Sequence, residues 1–396
     1  MQSLALQLTD RCQPCRLDSW CDLSETAVGN TQKISTIQSV PPNILERIRQ
    51  TAQSCNRVTA MRIDIIIESD KSAADFTRLG KLAEDYGLGG IWVANNANGR
   101  DPFVNFTPFA LQSDSIAMGP IAVSPFELHP LKMALSLLSL NEIAQGRAQI
   151  VVGGGGGVAE NMGQRPKQVI QPMRECIEIL NMAARGEAGG YPGEIFPVSW
   201  LDTRWVTQSP PMIYAGANGP KMLRSAAEYA AGIMASDFTP ERIKWLRDII
   251  DPVLTARGIE TATYPVNNFW AWHVKEDPAE AIREARIWLC VRGTIYPDYI
   301  RDVVDEDEAQ IVTDHISNFA KAYYNKSPDI EGVPDEILNK IVARGTSASS
   351  LDNIGTEIER FKEFERNGLN EIALKVYGEP EQAIQTIGEH IVPALG

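Results

Sequence analysis

The sequence predicts an α/β protein: a (β/α)8 TIM barrel with insertions, preceded by a poorly structured N-terminal extension. Three observations carry this. Short apolar runs recur from residue 61 onward, most are followed by a stretch with apolar residues at helical spacing, and eight such units fit before the chain ends at residue 396. Short, nearly continuous apolar strands alternating with helices imply parallel strands joined by right-handed crossovers and covered on both faces. Eight units suit a closed barrel. A doubly wound open sheet is the alternative architecture.

Residues 1–60 carry no sustained periodicity beyond a helical patch at 42–53 and are rich in Ser, Thr, Gln and Asn, so they read as a flexible extension. Met61 opens the first strand, 63–68. The helix at 72–86 places Phe76, Leu79, Leu82, Ala83 and Tyr86 on one face and stops at Gly87. Strands follow at 90–94 and 115–123, a helix at 131–144, and a strand at 148–152 that runs into five glycines, 153–157. After a helix at 168–185, residues 193–199 resemble an edge hairpin strand. Strand–helix pairs then fall at 211–215 with 221–230, 232–235 with 241–256, and 267–274 with 278–290. A helix at 351–366, a strand at 371–375 and a helix at 380–391 close the chain, and the larger insertion spans 292–350. The domains are thus the extension, 1–60, and the barrel, 61–396.

Composition narrows the function. The chain is 44% hydrophobic and 22% charged, which builds a sizeable core. Its formal charge is −14 with no Lys/Arg run, so a nucleic-acid partner is not expected. No apolar run of membrane-spanning length and no secretion signal is evident, which points to a cytoplasmic protein. Six cysteines do not make a disulfide framework. Cys12, Cys15, Cys21 and Cys55 half-match a zinc pattern but lack the second paired ligands, so no metal site is expected.

In a barrel, chemistry belongs at the carboxyl ends of the strands. The stretch Gly216-Ala217-Asn218-Gly219-Pro220-Lys221 follows a strand and opens a helix, which suits a phosphate cradle or an ordinary Gly-rich turn. The glycines 153–157, with Gly154 and Gly155 central, leave bare backbone for a flat ligand or a phosphate chain. Asn95, Asn96 and Arg100 offer donors and acceptors after the second strand, or form a capping turn. Glu68 ends the first strand, where it is either a proton donor or a solvated strand end. His129, before Pro130, either touches a ligand or caps a helix. A glycine-lined wall, one anion cradle and few titratable groups suit a redox cofactor that the protein orients.

Four stretches resemble the bacterial luciferase-like superfamily of flavin and deazaflavin oxidoreductases. They are Leu82-Ala83-Glu84-Asp85-Tyr86-Gly87-Leu88 with Ile91-Trp92-Val93-Ala94-Asn95-Asn96; Met118-Gly119-Pro120 running to Ser124-Pro125-Phe126-Glu127-Leu128-His129-Pro130; Leu140-Asn141-Glu142-Ile143-Ala144-Gln145-Gly146-Arg147; and Tyr214-Ala215-Gly216 through Leu223. Within the superfamily they are most similar to the coenzyme F420-dependent methylenetetrahydromethanopterin reductases. The resemblance implies reduced F420, or alternatively FMN, at the strand ends, a small-molecule substrate and a homodimer. It implies a non-prolyl cis peptide at Ile121–Ala122 backing the ring, ring contacts from Asn95 and Asn96 where relatives carry Asp-His, a cofactor contact from Asn161, and phosphate binding at 216–221. The reductases' first-strand Glu aligns with Ile66; Glu68 lies two residues on, on the same strand face. The expected activity is hydride transfer from the deazaflavin C5 to a small organic substrate. The alternatives are an FMN-dependent monooxygenase and a non-catalytic flavin-binding protein.

Overall fold

The computed structural model describes residues 61–156, 158–164 and 166–395. The proposed extension and its four cysteines lie outside them. The elements begin with β1 (Arg62–Ile67), α1 (Ala73–Asp85), β2 (Gly90–Ala94), α2 (Pro102–Ala110), β3 (Ala117–Ile121), α3 (Pro130–Ile143), β4 (Gln149–Val152), the short α4 (Val158–Asn161) and α5 (Ile170–Ala183). Next come β5 (Ala188–Tyr191), β6 (Val198–Asp202), β7 (Met212–Gly216), α6 (Pro220–Tyr229), β8 (Gly232–Ser236), α7 (Pro240–Ala256), β9 (Val266–Trp272) and α8 (Pro278–Ile287). The chain continues through α9 (Glu306–Asp314), α10 (Ile316–Asn325), α11 (Asp335–Gly345), α12 (Ile354–Arg366), β10 (Glu371–Val376), α13 (Pro380–Thr386), a π-helical turn (Ile387–Ile391) and α14 (Val392–Leu395).

Eight parallel strands run in the order β3-β2-β1-β10-β9-β8-β7-β4. The two ends of this sheet meet at isolated parallel bridges, Met118 with Ala148 and Val123 with Val152, which bring it to a nearly closed barrel. The fold is therefore the expected (β/α)8 architecture. The main core lies between the strands' outer faces and the helices.

The seam between β3 and β4 has a local logic. Met118 N donates to Arg147 O, and the period of two makes residue 120 the next donor toward β4. Residue 120 is proline and has no N–H. The next donor is Val123 N, to Val151 O. Two residues on β4, 149 to 151, thus span three on β3, 120 to 123, which is a bulge. The Ile121–Ala122 peptide inside it is cis. Gly119 lies so close to β4 that a Cβ there would stand 1.6 Å from the Gln149 carbonyl oxygen.

Three elements differ from the sequence expectations. The edge strand placed at 193–199 is instead a hairpin of β5 and β6, with 193–197 in its turn. Ala188-Gly189-Gly190-Tyr191 carries no strand-like pattern, yet Gly190 lets the partner approach, since a Cβ would stand 2.8 Å from Val198 O. Helix α2 was not expected because its sequence, PFVNFTPFA, is apolar almost all round. It is set by Asp101, which accepts from Val104 N at 3.0 Å, and by Pro102 in its first turn. The insertion is helical: α9, α10 and α11 pack on a second core including Val312, Phe319, Leu338 and Ile341.

Glu84 on α1 anchors the entry to β3. Its Oε1 accepts from the backbone N–H groups of Asp114 (2.8 Å) and Ser115 (2.7 Å), and its Oε2 meets Lys81 Nζ at 2.6 Å. Burial alone would raise this carboxyl, but the Lys81 ammonium and the loop donors outweigh it and hold it well below the usual carboxylate range.

Two expectations follow. Gly119→Ala costs about 3 kcal/mol or more, because backbone rather than a rotatable side chain blocks the new methyl; chemical denaturation measures it. Glu84→Gln costs about 1.5–3 kcal/mol at neutral pH. Since the folded pKa lies below the unfolded one, the difference between wild type and variant is full above about pH 4.3 and shrinks as pH falls toward the folded value. An equal difference at pH 7 and pH 3 would count against the anchor.

Candidate active site

The barrel interior is layered. Its N-terminal end is polar: Asp64 accepts from Arg62 Nε and Trp92 Nε1, both at 2.8 Å, and Glu371 accepts from Tyr214 Oη at 2.7 Å. Burial pushes the Asp64 carboxyl up to about 6, against the pull of Arg62. Above this sits an apolar plug of Ile66, Trp92, Ile121, Val151, Tyr214, Met234 and Ala373. The plug separates that network from the mouth at the carboxyl ends of the strands.

At the mouth, alternation along β1 continues from Asp64 and Ile66 to Glu68, and along β10 from Glu371 and Ala373 to Lys375. The two strands pair in register, Ile66 beside Lys375. Lys375 Nζ stands 2.6 Å from Glu68 Oε1, and Asn96 Nδ2 donates to Glu68 Oε2 at 2.7 Å. Burial lowers the Lys375 amine below its ordinary value, although Glu68 pulls it the other way. Asn96 therefore positions Glu68 directly.

Asn95 binds both sides of the β3 bulge. Its backbone N–H donates to Ile121 O at 2.9 Å, and its side-chain Nδ2 donates to Ala122 O at 3.2 Å and Glu127 Oε1 at 2.6 Å. Glu127 Oε1 also accepts from Ser124 N at 2.8 Å, and burial raises this carboxyl. Ile121 is buried, whereas Ala122 is exposed at the mouth.

The two glycine turns open on one rim, because β4 and β7 are parallel neighbours with Val152 beside Ala215. A Cβ on Gly216 would stand 3.3 Å from Val152 O and 3.8 Å from Gly153 Cα. Gly155 and Gly156 have φ of +102° and +139°, backbone that other residues rarely adopt. Gly219 is the N-cap of α6 and no side chain caps this helix. Pro220 occupies its first turn, and Lys221 beside it is exposed. A Cβ on Gly219 would meet nothing within 4 Å. Ala217 is buried, and Asn218 Oδ1 accepts from Ser236 N at 2.9 Å, tying the β7 and β8 loops together. These donors and this open backbone fit a phosphorylated cofactor tail. Asn161 ends α4 and is exposed.

His129 is the N-cap of α3, its Nδ1 accepting from Leu131 N at 3.2 Å, with its ring edge-on to Phe196 at 5.6 Å. That commits one ring nitrogen to the helix and leaves Nε2 for other partners.

Lys375, Glu127, Asp237 and Arg292 were not singled out from sequence. The insertion reaches the mouth through the buried ion pair of Arg292 with Asp237 at the end of β8. Gly293 N donates to Asp237 Oδ2 at 2.6 Å, and Arg292 Nη1 donates to Tyr377 Oη at 3.2 Å. Tyr299, from the same insertion, lies under the Arg242 guanidinium, 4.2 Å from its ring centroid. The one available signal for Lys375 was a lysine directly after the apolar run Ile372-Ala373-Leu374, at an inward position of the last strand. An open cleft of about 480 Å³, lined by Glu178, Arg185 and Tyr191, lies at the C-terminal end of α5 and hence toward the opposite face of the barrel. Among the described residues no group of three or more His, Cys, Asp or Glu is placed to hold a metal, and no helix is long and apolar enough to cross a membrane.

Comparison with known proteins adds three findings. Residues 52–387 match the family model of the luciferase-like monooxygenases. The chain is 29% identical over 324 residues to the 5,10-methylenetetrahydromethanopterin reductase of Archaeoglobus fulgidus, covering 80% of this chain and 94% of the relative. Among solved structures, it resembles the coenzyme F420-dependent tetrahydromethanopterin reductase of Methanopyrus kandleri, with a TM-score of 0.70 and 20% identity, covering 85% of this chain and 100% of that one. An F420-dependent secondary alcohol dehydrogenase in complex with an F420-acetone adduct aligns with a TM-score of 0.67 at 15% identity, covering 85% of this chain and 99% of that one. At these identities the structural likeness speaks for the fold.

The cap assignment of His129 has a direct check. His129→Ala lowers stability by about 1 kcal/mol and His129→Ser, which restores a capping oxygen, recovers most of it. Equal stabilities for the two variants in urea unfolding would remove the cap.

Proposed function

The chain belongs to the luciferase-like monooxygenase family, and from that premise we propose that it is an F420-dependent oxidoreductase that passes a hydride between the deazaflavin and a small organic substrate. The observation that carries this reading is the single rim shared by three features. These are the uncapped α6 N-terminus after β7, the bare backbone after β4, and the Glu68–Lys375 pair between β1 and β10. Similarity over most of its length to a 5,10-methylenetetrahydromethanopterin reductase favours F420 and a carbon–nitrogen bond as the reacting group.

In this reading bound reduced F420 supplies the hydride from its C5. Gly216, Ala217, Asn218, Gly219, Pro220 and Lys221 hold the phosphate of its tail through backbone N–H groups and the lysine charge. Gly154, Gly155 and Ile121–Ala122 form the wall against which the ring lies, with Asn95 fixing that wall and Asn161 adding a polar contact. The wall and the tail cradle orient the reacting atoms, which is the largest contribution the protein makes. Glu68 manages the proton for the substrate, and His129 offers Nε2 to the bound ligand. The protein works in the cytoplasm as a homodimer.

Purified protein mixed with F420 or FMN and passed over a desalting column retains the F420 absorbance. With 5,10-methylenetetrahydromethanopterin, it oxidises reduced F420 without oxygen uptake. Retention of FMN with oxygen consumption would instead identify a monooxygenase, and retention of either cofactor with no turnover a binding protein. Gly219→Val weakens F420 binding at least tenfold while leaving the melting temperature unchanged, since the new side chain enters open space. An unaltered dissociation constant would refute the tail cradle.

A further inference from the structure

We propose that Lys375 is the proton-holding partner of Glu68: the buried lysine on the last barrel strand reloads the first-strand carboxylate that protonates the substrate. The proposal deepens the oxidoreductase reading above and rests on it. Lys375 is 3% exposed, whereas the Glu68 side chain retains 28% exposure toward the mouth. The pair therefore runs from the interior to the opening, with the carboxylate in front and the ammonium behind it at 2.6 Å. Asn96 donates to the second carboxylate oxygen and so fixes the orientation of the first.

The fold gives no other reason for a lysine here. An isolated buried ammonium costs several kcal/mol, and a buried ion pair does not stabilise more than an apolar side chain of similar volume. The neighbouring positions on β10, Leu374 and Val376, are apolar and buried. Burial and the Arg292 charge work against the ammonium, and the nearby carboxylates work for it. Glu68 and Asp70 after β1 face it as anions, and Arg292 of the insertion faces it as a cation. Its ammonium lies 5.3 Å from the Tyr377 ring centroid. At the end of β9, His273 and Lys275 are both engaged by Glu284, at 2.8 and 3.2 Å. Tyr323 on α10 senses the Glu68 charge from the insertion side. Lys375 is thus a positioning and reloading residue, and Glu68 is the group that touches substrate.

The step balances without a further reagent. The carbon of a carbonyl, or of the iminium formed when one nitrogen of an aminal leaves, gains the hydride, and the π electron pair moves onto its oxygen or nitrogen. The carbonyl oxygen, or the departing nitrogen of the aminal, takes a proton relayed through Glu68, whose carboxylate draws it from the Lys375 ammonium. The neutral amine then recovers a proton from water through Glu68 at the open mouth.

The first test reads the proton itself. Full-length protein carrying lysine labelled with carbon-13 at Cε is titrated by NMR, with Lys375→Arg for assignment. One Cε resonance titrates below all the others, is missing in Lys375→Arg, and titrates lower still in Glu68→Gln, because the anion that favours the ammonium is gone. Titration of Lys375 together with the surface lysines overturns the proposal. The second test reads turnover of reduced F420 with 5,10-methylenetetrahydromethanopterin. Both Lys375→Met and Lys375→Arg lower kcat by about 100-fold or more while KM for reduced F420 stays within about threefold, since arginine keeps the charge but does not release its proton. An arginine variant with wild-type kcat also overturns it. Fluorescence titration of wild type with oxidised F420 separates the two readings: no binding defeats the cofactor assignment, whereas binding with an ordinary Lys375 defeats only the reloading role.

Discussion

The closure of the barrel between β3 and β4 is the constraint on which the rest depends. An eight-stranded parallel sheet has two edges, and here the pair that brings them together, β3 and β4, meets with an incomplete ladder. Gly119 permits the approach, and Pro120 removes the N–H that a regular pairing would use. The ladder resumes one residue out of step at Val123. The bulge thereby falls at the carboxyl end of β3, the level at which ligands meet a barrel. Asn95 and Glu127 then hold its carbonyl and amide groups, so a feature of closure also becomes one wall of the mouth.

Polarity along the barrel axis divides the interior into separate parts. The Arg62–Asp64–Glu371 cluster, in which one guanidinium meets two carboxylates, lies below an apolar plug that includes Trp92 and Tyr214. Glu68 and Lys375 lie above the plug on the same inward faces. Alternation along β1 and β10 thus produces two charged sites of opposite character. One shares a single Arg62 between two carboxylates at the N-terminal end, and the other has a carboxylate open to the mouth.

The insertion does more than pad the chain. α9, α10 and α11 share a core of their own, and Arg292 and Gly293 at the start of the insertion bind Asp237 at the end of β8. Ser236, next to Asp237, donates its N–H to Asn218 in the turn before α6. The Gly-rich turn before α6 is therefore tied, through the end of β8, to residues some 70 positions later in the chain.

The sequence by itself determined the number and type of barrel units, their order, and the glycine turns and polar residues at the strand ends. These are local properties: period, turn chemistry and helix stops leave their mark within a few residues. It did not disclose α2, whose residues are apolar on nearly every side, or the β5 strand, whose glycines matter only because another backbone approaches. Tertiary structure alone decided how the strand-end residues are shared out. His129 and Asn218 bond to backbone N–H groups, Asn95 serves the bulge, and Asn96 turns Glu68 toward Lys375. The physical reason is distance along the chain: Glu68 and Lys375 are some 300 residues apart. No local pattern couples them, and only the pairing of the first strand with the last sets one charge against the other.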